Sequence, residues 1–437
     1  MASTSLSRTP ASAGNTQTFT WSGWVKRSSF GSSTIFGCGP GTSDRSYIVF
    51  SNDNIGFYIG TSGPTYRGVI TSAVFRDVSA WYHIVVAVDT TQATDTNRAK
   101  IYVNGQLQSV GSYAGGYNTL NQNSNINTTI EHAIGEQVHT SSNYFDGEMA
   151  HIHFIDGTAY DASDFGQTDS TTGIWKPITV PSVTYGTNGF FLKFANSGSM
   201  GTDSSGNGNN FTVSGNLTQT QDTPSNVFAT LNPIRAAGDT RTFANGNTKV
   251  TAKTTDGLFH CSYSTLGVTQ GKWYAEFKLA VGGYPINSAI ISGGSVEVSQ
   301  DDANNNGNAV GQTSYNGVGS FVVDNVSASG KTTYTSGDII GVAMNVDDGE
   351  LTFYKNGTIV DTTQNLTTTA GNGICYFIAI TRYIDTQASW EANFGNGYFG
   401  TTAVSSANSD DAGYGLFEYA PPTGYYALCT KNINTYG

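Results

Sequence analysis

IYVNGQ, from Ile101 to Gln106, and FYKNGT, from Phe353 to Thr358, are nearly the same phrase, written once in each half of the chain. In each, a β-branched or aromatic run enters Asn-Gly, the dipeptide that best tolerates positive φ at both centres of a type I′ turn. Each follows an apolar run ending in aspartate: WYHIVVAVD (Trp81 to Asp89) and DIIGVAMNVDDG (Asp338 to Gly349). A type I′ turn joins two antiparallel strands, so both phrases predict hairpins. Around them, strand-like segments recur about every ten residues between Gly-, Asn- and Ser-rich turns, the spacing of a sandwich. The reading is an all-β chain of two antiparallel β-sandwich domains in tandem.

Length and composition agree with two domains. A chain of 437 residues and 46.2 kDa exceeds one ordinary core. Charged residues are only 12%, about half the usual share, while Gly alone numbers 53. Net charge is −12, and neither half is basic: 10 basic and 15 acidic residues precede Pro224, and 10 and 17 follow it. Nucleic-acid binding needs clustered Lys and Arg to displace counterions, so it is not expected. The longest apolar run, ICYFIAI (Ile374 to Ile380), is far short of a membrane span, so no membrane insertion is expected. MASTSLSRTPASAG carries no apolar signal-peptide core. Cys38, Cys261, Cys375 and Cys429 lack CxxC spacing and read as reduced thiols, with a Cys261–Cys429 or Cys375–Cys429 bridge left open.

Along the chain, FTWSGWVKRS (Phe19 to Ser28) alternates, with Phe19, Trp21 and Gly23 on one face and Trp24 and Lys26 on the other. YNTLNQNSNINTT (Tyr117 to Thr129) reads as a long exposed loop. The pattern restarts at DTPSNVFATLNP (Asp222 to Pro233), which places the domains at 1–222 and 223–437. A Gly/Asn/Asp-rich insert is expected from about Gly293 to Gly319.

In the first half, SGWVKRS, WYHIVVAVDTT, IYVNGQ and FDGEMAHIHFIDGTAYDASDF resemble the laminin-G-like, concanavalin-A-like jelly roll, and DSSGNGNN is a phrase of such domains. In the second, GKWYAEFKL, GDIIGVAMNVDDGELTFYKNGT and WEANFGNGYFG resemble the SPRY domain, a sandwich of the same class. The combined order, with PPTGYYALCTKN near the end, is similar to virion proteins of tailed phages, especially those of marine bacteria. The resemblance implies a phage surface or fibre-type structural protein, assembled in the host cytoplasm and released by lysis. Its implied partners are other virion proteins, further copies of itself and a host surface glycan.

Residues able to carry chemistry have plain competing readings. Asp146 and Glu148, two apart in an expected strand, would share a face, as in some jelly-roll glycosidases. The E-x-D-x-x-E arrangement of those enzymes is absent, and the favoured reading is a turn aspartate and a solvated glutamate. His151 and His153 would share a polar face opposite Ile152 and Phe154, without a third zinc ligand. Asp203, Ser205 and Asn207 present oxygens around a glycine as a calcium loop does, against the reading of an Asx-rich turn. DDANNNGN (Asp301 to Asn308) carries the same pair of readings. GNGYFG (Gly395 to Gly400) formally matches G-x-G-x-x-G, a motif that needs a strand before it, a helix after it and an acid about twenty residues on. Its flanks are WEANF and TTAVSSANSD, and the phrase matches the SPRY pattern. Tyr113, Tyr117 and Tyr144 are loop aromatics that could stack on a sugar, against local packing.

The expectation is therefore a non-enzymatic protein on the phage virion surface, a fibre or a capsid or tail decoration, adhesive towards host glycans. It needs no cofactor unless calcium binds at Asp203. A purely structural decoration protein and a polysaccharide depolymerase using Asp146 and Glu148 are the rival classes.

Overall fold

The computed structural model describes residues 4–41, 44–60, 66–233, 241–252, 260–281, 289–295, 312–323, 326–366, 376–382 and 388–437. It separates into two compact units, Met1–Gln219 and Thr220–Gly437. Both are built of antiparallel sheets, as the spacing predicts.

In the N-terminal unit, one sheet runs in the order Val110–Ser112, Tyr66–Thr71, Asn54–Gly60, Ser46–Ser51, Ser33–Cys38, His132–Ile134, Ser5–Arg8 and Thr212–Ser214. The other runs Phe190–Leu192, Gly147–Asp156, Thr18–Arg27, Tyr82–Asp89, Ala99–Val103 and Gln106–Leu107. Alternate residues of the two sheets meet in one core: Phe19, Trp21, Ile84, Val86 and Phe154 against Phe36, Ile48, Phe50 and Phe57. Phe19 meets Phe57 edge-on at 6.0 Å between centroids, and Phe36 lies 5.8 Å from Phe154. Each such ring contributes about 1.5–3 kcal/mol by leaving water.

The C-terminal unit repeats the plan. One sheet centres on Ala388–Asn393, Lys272–Val281, Ile339–Asn345 and Glu350–Lys355; the other contains Tyr376–Arg382, Ala289–Ser295, Gln312–Asn316 and Ser320–Val323. Trp273, Phe277, Val342, Phe353 and Trp390 pack on Tyr315, Phe321 and Ile378. The chain ends in one short helix, Thr430–Tyr436.

Both Asn-Gly phrases are type I′ turns, with φ +49° and +80° at Asn104 and Gly105, and +48° and +77° at Asn356 and Gly357. The asparagine side chain closes each one: Asn104 Oδ1 accepts from the His83 N–H at 2.8 Å, and Asn356 Oδ1 from that of Ile339 at 2.9 Å. Each glycine lies under an aromatic ring of a later segment. A Cβ at Gly105 would stand 2.9 Å from the Trp175 ring, and one at Gly357 2.5 Å from that of Tyr419.

Those later segments cover the sheet faces turned away from the cores. In the first unit, Tyr160, Phe165, Trp175, Val183 and Tyr185 lie over Val85 and Ile155, forming a second small core. In the second, Tyr414, Phe417, Tyr425 and Cys429 cover Tyr274 and Ala343. Faces that sequence alternation alone would leave wet are therefore dry.

Two expectations are corrected here. Tyr117–Thr129 forms no strand but is not an exposed loop: Asn118, Gln122, Ser124, Ile126 and Asn127 are buried. Their amides and main chain bond inward, as when the Asn118 side-chain amide donates to Arg67 O at 3.1 Å and Thr90 Oγ1 to Gln122 O at 2.9 Å. The insert is shorter than expected, because strands extend to Ser295 and resume at Gln312. Its DDANNNGN phrase lies outside the described residues. Cys38 and Cys429 are free and buried, so no bridge reaches Cys429. Cys375 and the Cys261 side chain lie outside the description. No helix among the described residues is long and apolar enough to cross a membrane.

Candidate functional site

The sequence-derived candidates resolve one by one into structural roles. Asp146 stands just before the strand Gly147–Asp156, not within it. Its carboxyl is pushed above the usual range by burial, against a bond from Ser29 that lowers it. Glu148 is not the solvated residue expected: it is largely covered, 3.9 Å from the ammonium of the buried Lys26. The two carboxyls thus have separate surroundings, one beside Ser29 and one beside Lys26.

His151 and His153 do not follow simple alternation. A bulge interrupts the pairing between Ala150 and His153, with His151 at φ +47°. Both rings lie against Phe191, at 5.8 and 3.9 Å, and His153 is buried, its Nδ1 2.9 Å from the Tyr185 hydroxyl. The expected polar face is instead a dry one under the covering segment. His83 joins it, stacked on Trp24 at 4.8 Å, with Nδ1 accepting from the Trp175 indole at 3.0 Å and Nε2 bonded to Ser22 Oγ at 2.9 Å. Burial holds the His83 imidazole down to about 3 and that of His153 well below its ordinary value. No group of three His, Cys, Asp or Glu side chains among the described residues is arranged to hold a metal.

The Asp203 loop is closed by its own hydrogen bonds. Oδ1 accepts the N–H groups of Phe191 and Ser205, and Oδ2 accepts the Asn209 N–H and the Ser205 hydroxyl, all at 2.8 Å. Asn207 and Asn209 turn their amide N–H groups onto the carbonyls of Gly186, Thr187 and Gly189. Asp203→Ala is expected to cost about 1–3 kcal/mol, because those donors lose their acceptor. Thermal melts should also coincide in calcium and in EDTA, whereas a rise of several degrees in calcium would contradict this closed arrangement.

The Gly395–Gly400 phrase is likewise structural. Asn393 Oδ1 accepts the N–H groups of Gly395 and Gly397 at 2.9 and 3.1 Å, folding the loop onto its own strand. Of the loop tyrosines, Tyr117 packs on the main core, and the Tyr144 hydroxyl reaches Glu136 at 3.3 Å.

Tyr113 belongs to something that sequence reasoning missed. On the outer face of the larger N-terminal sheet, Tyr47, Tyr58, Tyr66 and Tyr113 form one connected group. Tyr58 lies 6.1 Å from Tyr47, 4.6 Å from Tyr66 and 5.3 Å from Tyr113. Glycines in the strands make the room. A Cβ at Gly37 would fall 2.3 Å from Tyr47, and one at Gly56 2.0 Å from the Tyr113 hydroxyl. Tyr47 and Tyr58 are the buried floor, with Tyr66, Tyr113, Arg45 and His139 half-buried around it. The Arg45 guanidinium lies 4.9 Å from the Tyr66 ring centre and 6.0 Å from that of Tyr58. It contacts His139 Nε2 at 2.9 Å and donates to the Tyr66 hydroxyl. Burial, then Arg45, lowers the His139 pKa and favours the neutral ring. Tyr47 and Tyr58 are covered, so the rings open to a sugar's C–H face are the half-buried Tyr66 and Tyr113, with the Arg45 cation beside them.

Residues 2–163 match the family described as the concanavalin A-like lectin/glucanases superfamily, of laminin-G type, and residues 283–397 match the SPRY domain. Among solved structures, the chain is similar to the SPRY domain of human HERC1, at 14% identity over 37% of this chain and 96% of that one, with a TM-score of 0.30. It is similar to stonustoxin at 16% identity over 38% of this chain and 27% of that one, TM-score 0.29. The TRIM65 PSpry domain matches at 13% identity over 38% and 91%, TM-score 0.28. No curated protein matches the sequence. The chain carries a laminin-G-like, concanavalin-A-like domain at its N-terminus and a SPRY domain towards its C-terminus.

Proposed function

We propose that this is a non-enzymatic adhesive protein exposed on a phage particle, and that its N-terminal unit binds host surface glycans at Tyr66 and Tyr113, beside Arg45. Both domain types are typical of binding modules, which supports binding over chemistry. The observation that carries the glycan reading is the group Tyr47, Tyr58, Tyr66 and Tyr113, laid over strand glycines and edged by Arg45. The virion setting rests on the sequence resemblance to tailed-phage surface proteins. A shallow polar site binds weakly one copy at a time, and many copies on one particle supply the avidity.

The test is binding of the purified full-length protein, presented multivalently on beads, to a panel of marine bacterial cells and their extracted surface polysaccharide. Saturable binding that free polysaccharide competes away is the expected result, with at least a tenfold loss for Tyr66→Ala. Absence of binding to any cell or polysaccharide would overturn the adhesive reading and favour a purely structural decoration protein.

A further inference from the structure

Arg45 differs from Arg27 and Arg76 in what its guanidinium meets. The chain has 32 carboxylate side chains against 20 Lys and Arg. Arg27 and Arg76 both reach Asp53, and Lys26, Lys176, Lys249, Lys331 and Lys355 each reach a carboxylate. Arg45 reaches none among the described residues. Its hydrogen-bonding partners are neutral, the His139 imidazole and the Tyr66 hydroxyl, and its buried Nε has no acceptor. The adjacent Asp44 is turned away, with its Oδ1 taking the Asn125 amide at 2.6 Å.

A guanidinium has five N–H donors in a fixed fork that fits a carboxylate or sulfate. Here it lies half-buried against the faces of Tyr66 and Tyr58. An arriving anion would supply the missing counter-charge. The same anion's sugar ring would then lie beside Tyr66 and Tyr113.

We propose that this site takes an anionic sugar, with the acid group on the Arg45 fork and the sugar ring against Tyr66 and Tyr113. The proposal rests on the glycan-binding reading above and narrows its ligand to uronate-bearing or sulfated glycans. The protein's own charge of −12 makes the test sharp, since general electrostatics repel a polyanion and only a local site can attract one.

The experiment is calorimetric titration of the full-length protein with size-matched oligosaccharides of polygalacturonate, dextran sulfate and unmodified dextran, at low and moderate salt. At least one acidic series should bind ten times more tightly than dextran, and the stronger of the two identifies the acid group. Arg45→Gln should lose tenfold or more of that affinity. Arg45→Lys keeps the charge without the fork and should recover only part of it. Lys100→Gln, which removes one charge from the other sheet, should have no effect. Thermal melts of each variant separate lost binding from lost folding. Equal affinity for dextran and both acidic series, or full acidic binding by a folded Arg45→Gln, overturns the anionic assignment and leaves the glycan reading standing. Failure of all three series, together with failure of the cell-binding assay, overturns both.

Discussion

Moving the protein from pH 7 to pH 5 is expected to remove about 4 kcal/mol of stability from the N-terminal unit through His83 and His132, with His153 acting in the same direction, a large part of an ordinary domain's total. The reason is three histidines buried in neutral form. His83 Nδ1 accepts from the Trp175 indole, and His132 Nε2 accepts from the Asn127 N–H at 2.9 Å, so a proton on either nitrogen would face another donor. His153 is buried against Phe191 and Tyr185. Burial lowers His83 to about 3, His132 to about 4 and His153 well below its ordinary value. A histidine depressed in the fold contributes stability that is fully present above its unfolded value near 6.5. That stability is lost as pH falls towards the folded value, at about 1.4 kcal/mol per pH unit for each ring. Hydrogen exchange, corrected for intrinsic rates and read on Thr18–Arg27 and Tyr82–Asp89, would report it. A stability constant within 1 kcal/mol across that range would show that these rings do not titrate as argued.

The second large effect belongs to the other unit and runs with the opposite sign. Glu276 sits fully buried on the outer face of its sheet. Its carboxylate accepts the N–H groups of Glu418 and Tyr419 at 2.8 Å, and lies 3.3 Å from the Tyr274 hydroxyl and the Asn393 amide. It is the polar pin that holds the covering segment down. Glu276→Ala would leave two part-buried N–H groups without their acceptor and open a cavity, for an expected cost of about 3–5 kcal/mol. Burial outweighs the four donors and raises this carboxyl to about 7. An acid raised in the fold contributes stability that is complete below its unfolded value near 4.5 and lost as pH climbs through 7. Glu276→Gln should therefore flatten the fall in C-terminal stability between pH 4.5 and 7. An Ala variant as stable as the parent would dismiss the pin.

Much of the fold was legible because its signals are local. Asn-Gly dictates its turn from two residues, and Phe19, Trp21 and Gly23 show their shared face by period 2. The hidden part depends on contacts distant in sequence. Nothing in IHF at 152–154 announces the bulge at His151, and nothing near Trp175 says that it will lie on Gly105. The buried amides of Asn118 and Gln122 read as loop because a side chain's polarity does not reveal that the Asn118 Nδ2 will reach the Arg67 carbonyl or the Gln122 Oε1 the Thr119 N–H. The tyrosine floor did leave a trace. Gly37 and Gly56 interrupt otherwise apolar strands, and a glycine there signals something lying close on the backbone.

The covering segments also bear on how the chain matures. The family matches end at residues 163 and 397, before Trp175 and Tyr185 in one unit and before Phe417 and Tyr425 in the other. A chain stopped at those limits would lack Phe190, Leu192 and Phe211 of the first core and Leu428 of the second, and would lay His83, Trp24, Glu276 and Tyr274 open to water. On the ribosome, each sandwich passes through that same bare-faced state until its closing residues emerge. The nascent chain is then most exposed to misassembly just before each unit is complete.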